Sequence, residues 1–172
     1  IVHHMQNRIG ISSGQMVTGN MGSESRMNYT MMGDNVNTAA RLESSAKQYG
    51  IYIQIAASTY EPIKDQVVVR DLDYVRVMGK EEPVKVYELI SEVGQEPDVY
   101  KKILPAYEEA LKLYKAQEWV KAIEAFKASD ELEDMFPGRK TNPSRIYIPR
   151  CEHFLSNSPG DDWDGVWTLT SK

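Results

Sequence analysis

The sequence predicts an α+β protein in which short strands and one helix come first and a pair of helices follows. Short alternating or β-branched runs recur between residues 8 and 90. Apolar residues recur at helical spacing between residues 34 and 48, and small and apolar residues do so again between residues 99 and 132. Because 41% of the 172 residues are hydrophobic, the chain has the composition of an ordinary globular protein.

The first strands are predicted on either side of Ser13-Gly14, where two short alternating segments, residues 8–14 and 15–20, meet. We expect these segments to pair as a hairpin. Residues 21–28 are polar and contain glycine and serine, which indicates a loop or a projecting arm. A helix is expected over residues 34–48 and ends before Gly50, because glycine commonly ends a helix.

Three more strands complete the first part of the chain. Residues 51–55 form one of them, and Ser58-Thr59 is expected to cap a short helix that reaches Ile63. Residues 67–77 and 84–90 form the other two, and the glycine- and proline-containing segment between them is typical of a connection.

The composition changes at residues 91–97, and two helices are predicted beyond, over residues 99–116 and 118–132. Their small and aromatic residues fit the spacing of one tetratricopeptide-type helix pair. A single pair cannot bury its own faces, so we expect it to pack on the preceding part of the chain or on a partner. Residues 137–172 are predicted to form an irregular but ordered wrap, because Trp163 and Trp167 would be costly to expose.

Charge and composition exclude several function classes. The net charge is −5 and the isoelectric point is near 5.3, without a basic stripe, which argues against nucleic-acid binding. Cys151 is the single cysteine, so no internal disulfide forms; a reducing compartment and a packing role are expected. No apolar run approaches the roughly 20 residues of a membrane span. We expect a cytoplasmic location, including the cytoplasmic part of a membrane-anchored protein, and a chain cut from something longer.

The segment around Gly33-Asp34 carries the strongest functional signal. This turn opens a helix on which Asn37 and Arg41 follow one turn apart. An amide and a guanidinium near a helix N-terminus suit a polyphosphate, and suit a transition state with charge on phosphorus-bound oxygens. The alternative is a solvated helix face with Arg41 paired to a neighbouring acid.

Several ordered motifs together resemble the second half of class III nucleotide cyclase catalytic domains. They are Arg8-Ile9-Gly10-Ile11 with Gly14, Gly19-Asn20-Met21-Gly22, Tyr29-Thr30, Gly33-Asp34-Asn35-Val36-Asn37, Ala40-Arg41-Leu42, and a closing hairpin, Arg76-Val77-Met78-Gly79-Lys80 with residues 84–89. The resemblance implies that residues 1–92 form a partial ferredoxin-like cyclase sheet with helices. Residues 97–172 then form a tetratricopeptide-like helical hairpin plus an irregular wrap. Residues 142–151 and 163–166 are similar to C-terminal extensions of some bacterial members.

The resemblance also implies an activity and the residues that serve it. A homodimer with sites at its interface would convert ATP to 3′,5′-cyclic AMP and pyrophosphate, with Asn37 and Arg41 stabilising the ribose and the transition state. Thr30, seven residues before Asn37, would contact the base; its hydroxyl can accept from adenine or donate to guanine, so ATP and GTP both stay open. Met78 stands where the family often has a triphosphate-binding lysine, and Lys80 is the candidate to replace it.

The family's two metal-binding aspartates lie in the first half of its domain, which this sequence lacks. No metal ligand is therefore assigned here, and Mg²⁺ or Mn²⁺ is expected to be held by that half, so the chain alone should be inactive. Two alternatives remain. The chain is a catalytically silent regulatory or dimerisation module, or its C-terminal helices bind a peptide.

Overall fold

A computed structural model describes residues 7–75, 83–133 and 139–167. The strands are β1 (Ile9–Ile11), β2 (Val17–Ser23), β3 (Arg26–Met32), β4 (Ile53–Ala56), β5 (Val67–Val75) and β6 (Val84–Glu92). The helices are α1 (Asp34–Tyr49), α2 (Ala57–Tyr60), α3 (Tyr100–Lys115), α4 (Trp119–Leu132) and α5 (Pro143–Ser156), and a 3₁₀ turn spans Glu61–Ile63. The α+β class is confirmed.

Four strands form a mixed sheet in the order β1-β4-β6-β5. β1 runs parallel to β4, with Ile9 opposite Ile53, and β6 pairs antiparallel with both β4 and β5. The short strands reflect the short β-branched and apolar runs in the sequence. Within the described part of the chain β1 and β5 are the two edges of this sheet.

Helix α1 packs directly on the backbone of β1. A Cβ added to Gly10 would lie 2.1 Å from the carbonyl oxygen of Ala39 and 2.4 Å from the backbone nitrogen of Glu43. Only glycine therefore permits this close approach of helix and strand. One core of the protein lies under this contact and contains Leu42, Ala46, Tyr49, Ile51, Ala56, Leu72 and Val86.

The predicted pairing of residues 8–14 with residues 15–20 is wrong. β1 pairs with β4 instead, and β2 pairs with β3 in a separate hairpin whose register runs from Val17↔Met32 to Ser23↔Arg26. Residues 21–28, predicted as a loop or arm, therefore form the end of this hairpin. Two effects explain the difference: β1 gains both a ladder with β4 and the cover of α1, whereas β2 gains a tightly connected partner immediately after it.

Three helices lie in the described part of the C-terminal region, where the sequence predicted two. Residues 143–156, predicted to be irregular, form α5, because Asn142 caps its start by accepting from the Arg145 N–H at 3.1 Å and Pro143 occupies the first turn. Pro149 lies inside this helix. The two predicted helices are present as α3 and α4, and their likeness to a tetratricopeptide pair stays a prediction.

The three helices bury an aromatic core of their own. It includes Tyr107, Tyr114, Trp119, Phe126, Tyr147 and Phe154, and Trp163 and Trp167 pack against it as half-buried residues. Phe126 stacks on Tyr147 with ring centroids 5.0 Å apart. The tryptophans of the C-terminal segment are therefore covered, as the sequence analysis expected. Among the described residues, none of the helices combines the length and the apolar character that crossing a bilayer requires.

Candidate active site

Helix α1 begins at a turn that leaves its first amides without a side-chain cap. Gly33 precedes the helix with φ 150°, and its carbonyl oxygen accepts from the backbone nitrogens of Val36 at 3.1 Å and Asn37 at 3.3 Å. Asp34 is the acidic residue of the first turn. The positive end of the helix dipole therefore lies among residues that are half-buried or exposed, of which Asp34 is exposed.

The loop between β1 and β2 is fastened to this end of α1 by Asn35. The Asn35 amide donates to the carbonyl oxygen of Gln15 at 3.2 Å and accepts from the Ser12 hydroxyl at 3.2 Å. The Ser13 backbone nitrogen donates to the Thr59 hydroxyl at 3.0 Å, which ties the same loop to α2. The sequence analysis missed the role of Asn35, although its position directly after Gly33-Asp34 was the available signal.

Asn37 and Arg41 lie one turn apart on α1 and both are exposed, as the spacing predicts. The buried stripe of the same helix is formed by Thr38, Leu42, Ala46 and Tyr49. The two candidate residues therefore occupy the face beside the one that packs on the sheet. From this face a guanidinium and a carboxamide can both reach a ligand placed at the helix N-terminus.

The other two candidate residues are Thr30 and Lys80. Thr30 lies on β3 opposite Gly19 of β2 and is exposed. Lys80, with Met78, falls outside the described residues.

No metal centre is formed by the residues that the structure describes, since they hold no group of three or more His, Cys, Asp or Glu side chains in suitable positions. The described residues therefore do not fit a two-metal site.

Cys151 serves packing, as expected. Its side chain is fully buried in the aromatic core, and burial raises the pKa of the thiol to about 12. A thiol with so high a pKa is a poor nucleophile at neutral pH.

Comparison with known proteins places these features in a family. The family model described as "Adenylate and Guanylate cyclase catalytic domain" matches residues 2–91, just over half of the chain. The terminal-differentiation-specific adenylate cyclase of Dictyostelium discoideum is 38% identical over 151 residues, which are 86% of this chain and 7% of that protein. Adenylate cyclase 1 of Rhizobium meliloti is 35% identical over 88 residues, which are 51% of this chain and 13% of that protein.

Among solved structures, the adenylyl cyclase CyaB from P. aeruginosa is 35% identical, with 52% of this chain and 45% of that chain covered at a TM-score of 0.44. The chain spans only a small part of the curated relatives it matches. The Dictyostelium alignment is longer than residues 2–91, so it includes part of the helical C-terminal region as well. By the match of its sequence to the family model, the chain belongs to the adenylate and guanylate cyclase catalytic domain family.

Proposed function

We propose that the chain is part of an adenylate cyclase that converts ATP to 3′,5′-cyclic AMP and pyrophosphate. One observation carries this proposal: Asn37 and Arg41 are both exposed and lie one turn apart in the first half of α1, a helix whose start has no side-chain cap. The family membership and the adenylate cyclase relatives support the same reaction. Because those relatives are far longer than this chain, the reaction is assigned to a complete domain rather than to these residues alone.

The chemistry explains why these two side chains suit the reaction. The 3′-oxygen of the ribose forms a bond to the α-phosphorus, the bond to pyrophosphate breaks, and the hydroxyl proton is released. Negative charge increases on the phosphoryl oxygens along this path. Arg41 would stabilise that charge through its planar set of donors, and Asn37 would orient the ribose.

Thr30 and Lys80 complete the proposed contacts with substrate. The Thr30 hydroxyl would accept a hydrogen bond from the adenine amino group, and Lys80 would contact the triphosphate. Mg²⁺ or Mn²⁺ would be held by carboxylates of the first half of the family's domain; the described residues form no such site. A metal ion in that position would polarise the phosphoryl oxygens.

The exposed apolar surface of the β2–β3 hairpin supports the need for a further segment or a second copy. Its large side chains include Val17 at 67%, Met27 at 60%, Tyr29 at 74%, Met31 at 53% and Met32 at 57% exposure. The register places Met27, Tyr29 and Met31 on one face of the hairpin and Val17 and Met32 on the other. Exposed apolar residues grouped in this way mark a surface that another protein segment covers. A homodimer with its site at this interface accounts for the patch and for its position beside α1.

The same surface favours a second candidate, a dimerisation module without catalytic activity. One experiment separates the two: the complete protein is assayed with ATP and with GTP, in Mg²⁺ and in Mn²⁺. Formation of cyclic AMP from ATP supports the first proposal. Dimerisation without turnover of either nucleotide supports the second, and turnover of GTP alone would retain the cyclase but contradict the assigned substrate.

A further inference from the structure

We propose that the helical C-terminal region positions α1 for catalysis by holding the C-terminal end of that helix. We call the residues that do this the α1 clamp, and they are Tyr49, Gly50, Asp73, Arg139 and Arg150. The inference rests on the proposed function, because it concerns the helix that carries Asn37 and Arg41. Two independent sets of contacts support it.

The first set joins α1 to α5 through one carboxylate of β5. Tyr49, the last residue of α1, donates its hydroxyl to Oδ2 of Asp73 at 2.8 Å, and Nη1 of Arg150 donates to the same oxygen at 2.6 Å. Burial, reinforced by the Asp73 carboxylate, raises the pKa of Tyr49 above its ordinary value, so the hydroxyl keeps its proton. A buried charged hydrogen-bond network of this kind holds its members in one arrangement.

The second set joins the end of α1 to the segment before α5. Nε of Arg139 donates to the carbonyl oxygen of Gly50, which ends the helix in the left-handed region with φ 65°. The same guanidinium donates to Glu88 and to Glu133 at 3.2 Å each. A Cβ on Gly50 would lie 2.0 Å from the carbonyl oxygen of Thr141, so the two segments are in direct backbone contact.

These contacts add a restraint at the C-terminal end of α1. Gly10 fixes how closely the helix approaches β1, and the clamp fixes the rotation and axial position of the helix at Tyr49 and Gly50. Tyr49 lies eight residues beyond Arg41, about 12 Å along the axis. A roll or slide at Tyr49 is transmitted along the rigid helix and displaces both candidate side chains. Displacement of a reacting group by about 1 Å can cost about a hundredfold in rate.

The test uses the complete protein with Arg150→Ala and, as a matched control, Arg145→Ala. Both arginines lie on α5, but Arg145 is exposed and pairs with Asp130 of α4 at 2.8 Å, whereas Arg150 pairs with the Asp73 carboxylate that also binds Tyr49. Arg150→Ala is expected to lower kcat by about tenfold to a hundredfold with little change in KM. Arg145→Ala should leave both constants unchanged. Hydrogen–deuterium exchange of the α1 amides should become faster in Arg150→Ala only.

Two further variants keep the result decisive. Tyr49→Phe removes only the hydroxyl that joins α1 to Asp73, so it should also lower kcat, by a smaller factor than Arg150→Ala. This variant keeps the test available if Arg150→Ala does not fold. Arg150→Lys keeps a cation beside Asp73 and should restore part of the lost kcat.

The exchange measurement separates failure of this inference from failure of the proposed function. Equal kcat and equal α1 exchange in Tyr49→Phe, Arg150→Ala and Arg145→Ala would overturn the clamp. If the wild-type protein turns over no nucleotide, the proposed function fails. Unchanged α1 exchange in Arg150→Ala would then still overturn the clamp, and faster exchange would support it.

Discussion

The β2–β3 hairpin and the helical C-terminal region differ in how much of their apolar side-chain surface is exposed. On the hairpin, Tyr29 is 74% exposed and every residue of β3 is exposed. In the helical region, Tyr107 and Phe126 are completely buried. The helical C-terminal region, called the closed region below, therefore covers its own apolar surface, and the hairpin leaves its apolar side chains exposed.

This difference matters for function because α1 contacts both regions. Its C-terminal end contacts the closed region through Asp73 of β5, which binds both Tyr49 and Arg150 of α5. Its N-terminal half lies beside the hairpin and carries Asn37 and Arg41, which are exposed. A site completed by another segment needs this combination, a rigid support on one side and an accessible surface on the other.

The largest effect is expected from breaking the ion cluster that joins the sheet to the closed region. Arg70 is buried and pairs with Glu88 at 2.5 Å and with Glu133 at 2.6 Å. Arg70→Leu would leave two buried carboxylates with one arginine, Arg139, and should cost about 3–5 kcal/mol of unfolding free energy. This loss is measured by urea unfolding of the 172-residue chain, with tryptophan fluorescence as the signal.

The control for this change is Arg145→Ala, which removes an exposed pair with Asp130 and should cost about 0–1 kcal/mol. Equal losses in the two variants would show that the closed region does not depend on the buried cluster.

A smaller effect is expected where α1 meets β1. Gly10→Ala forces a Cβ against the backbone of α1, which cannot rearrange locally, and should cost about 1–3 kcal/mol. Gly19→Ala on the hairpin is the matched control, because a Cβ there meets nothing within 4 Å. Thermal unfolding of both variants checks the difference, and a Gly19→Ala loss as large as that of Gly10→Ala would contradict it.

Tyr29→Ser should leave the stability of the chain within about 0.5 kcal/mol, because the ring is already exposed. In the complete protein the same change should weaken self-association, since buried interface tyrosines often contribute about 2 kcal/mol or more. Sedimentation equilibrium measures the association constant. Unchanged association would show that the open surface of the hairpin is not the interface.

The smallest effect is expected at Cys151. Because its thiol is buried and its pKa is about 12, iodoacetamide at pH 8 should not modify it in the folded chain. Modification should follow when urea unfolds the protein, and mass spectrometry measures both. Rapid modification of Cys151 in the folded chain would indicate that the aromatic core around it opens to solvent.

The elements with strong local signals were predictable from the sequence, and those decided by long-range contacts were not. Helix α1 follows from its apolar spacing and from Gly50. The pairing of β1 with β4 was missed, because a parallel ladder between distant segments leaves no local signal. Helix α5 was missed, although the Asn142 cap and Pro143 in the first turn were the available signals. The Asp73 contacts of Tyr49 and Arg150 join residues too far apart for spacing to suggest.

We propose that Arg41 acts mainly on the transition state, and the substitution Arg41→Ala in the complete protein separates this role from substrate binding. Turnover of ATP and the dissociation constant of a non-cyclising ATP analogue should be measured on the same preparation. We expect kcat to fall by about a hundredfold to a thousandfold while the dissociation constant changes little, because the contact strengthens as charge develops. Equal losses in turnover and in binding, or unchanged turnover, would contradict the account.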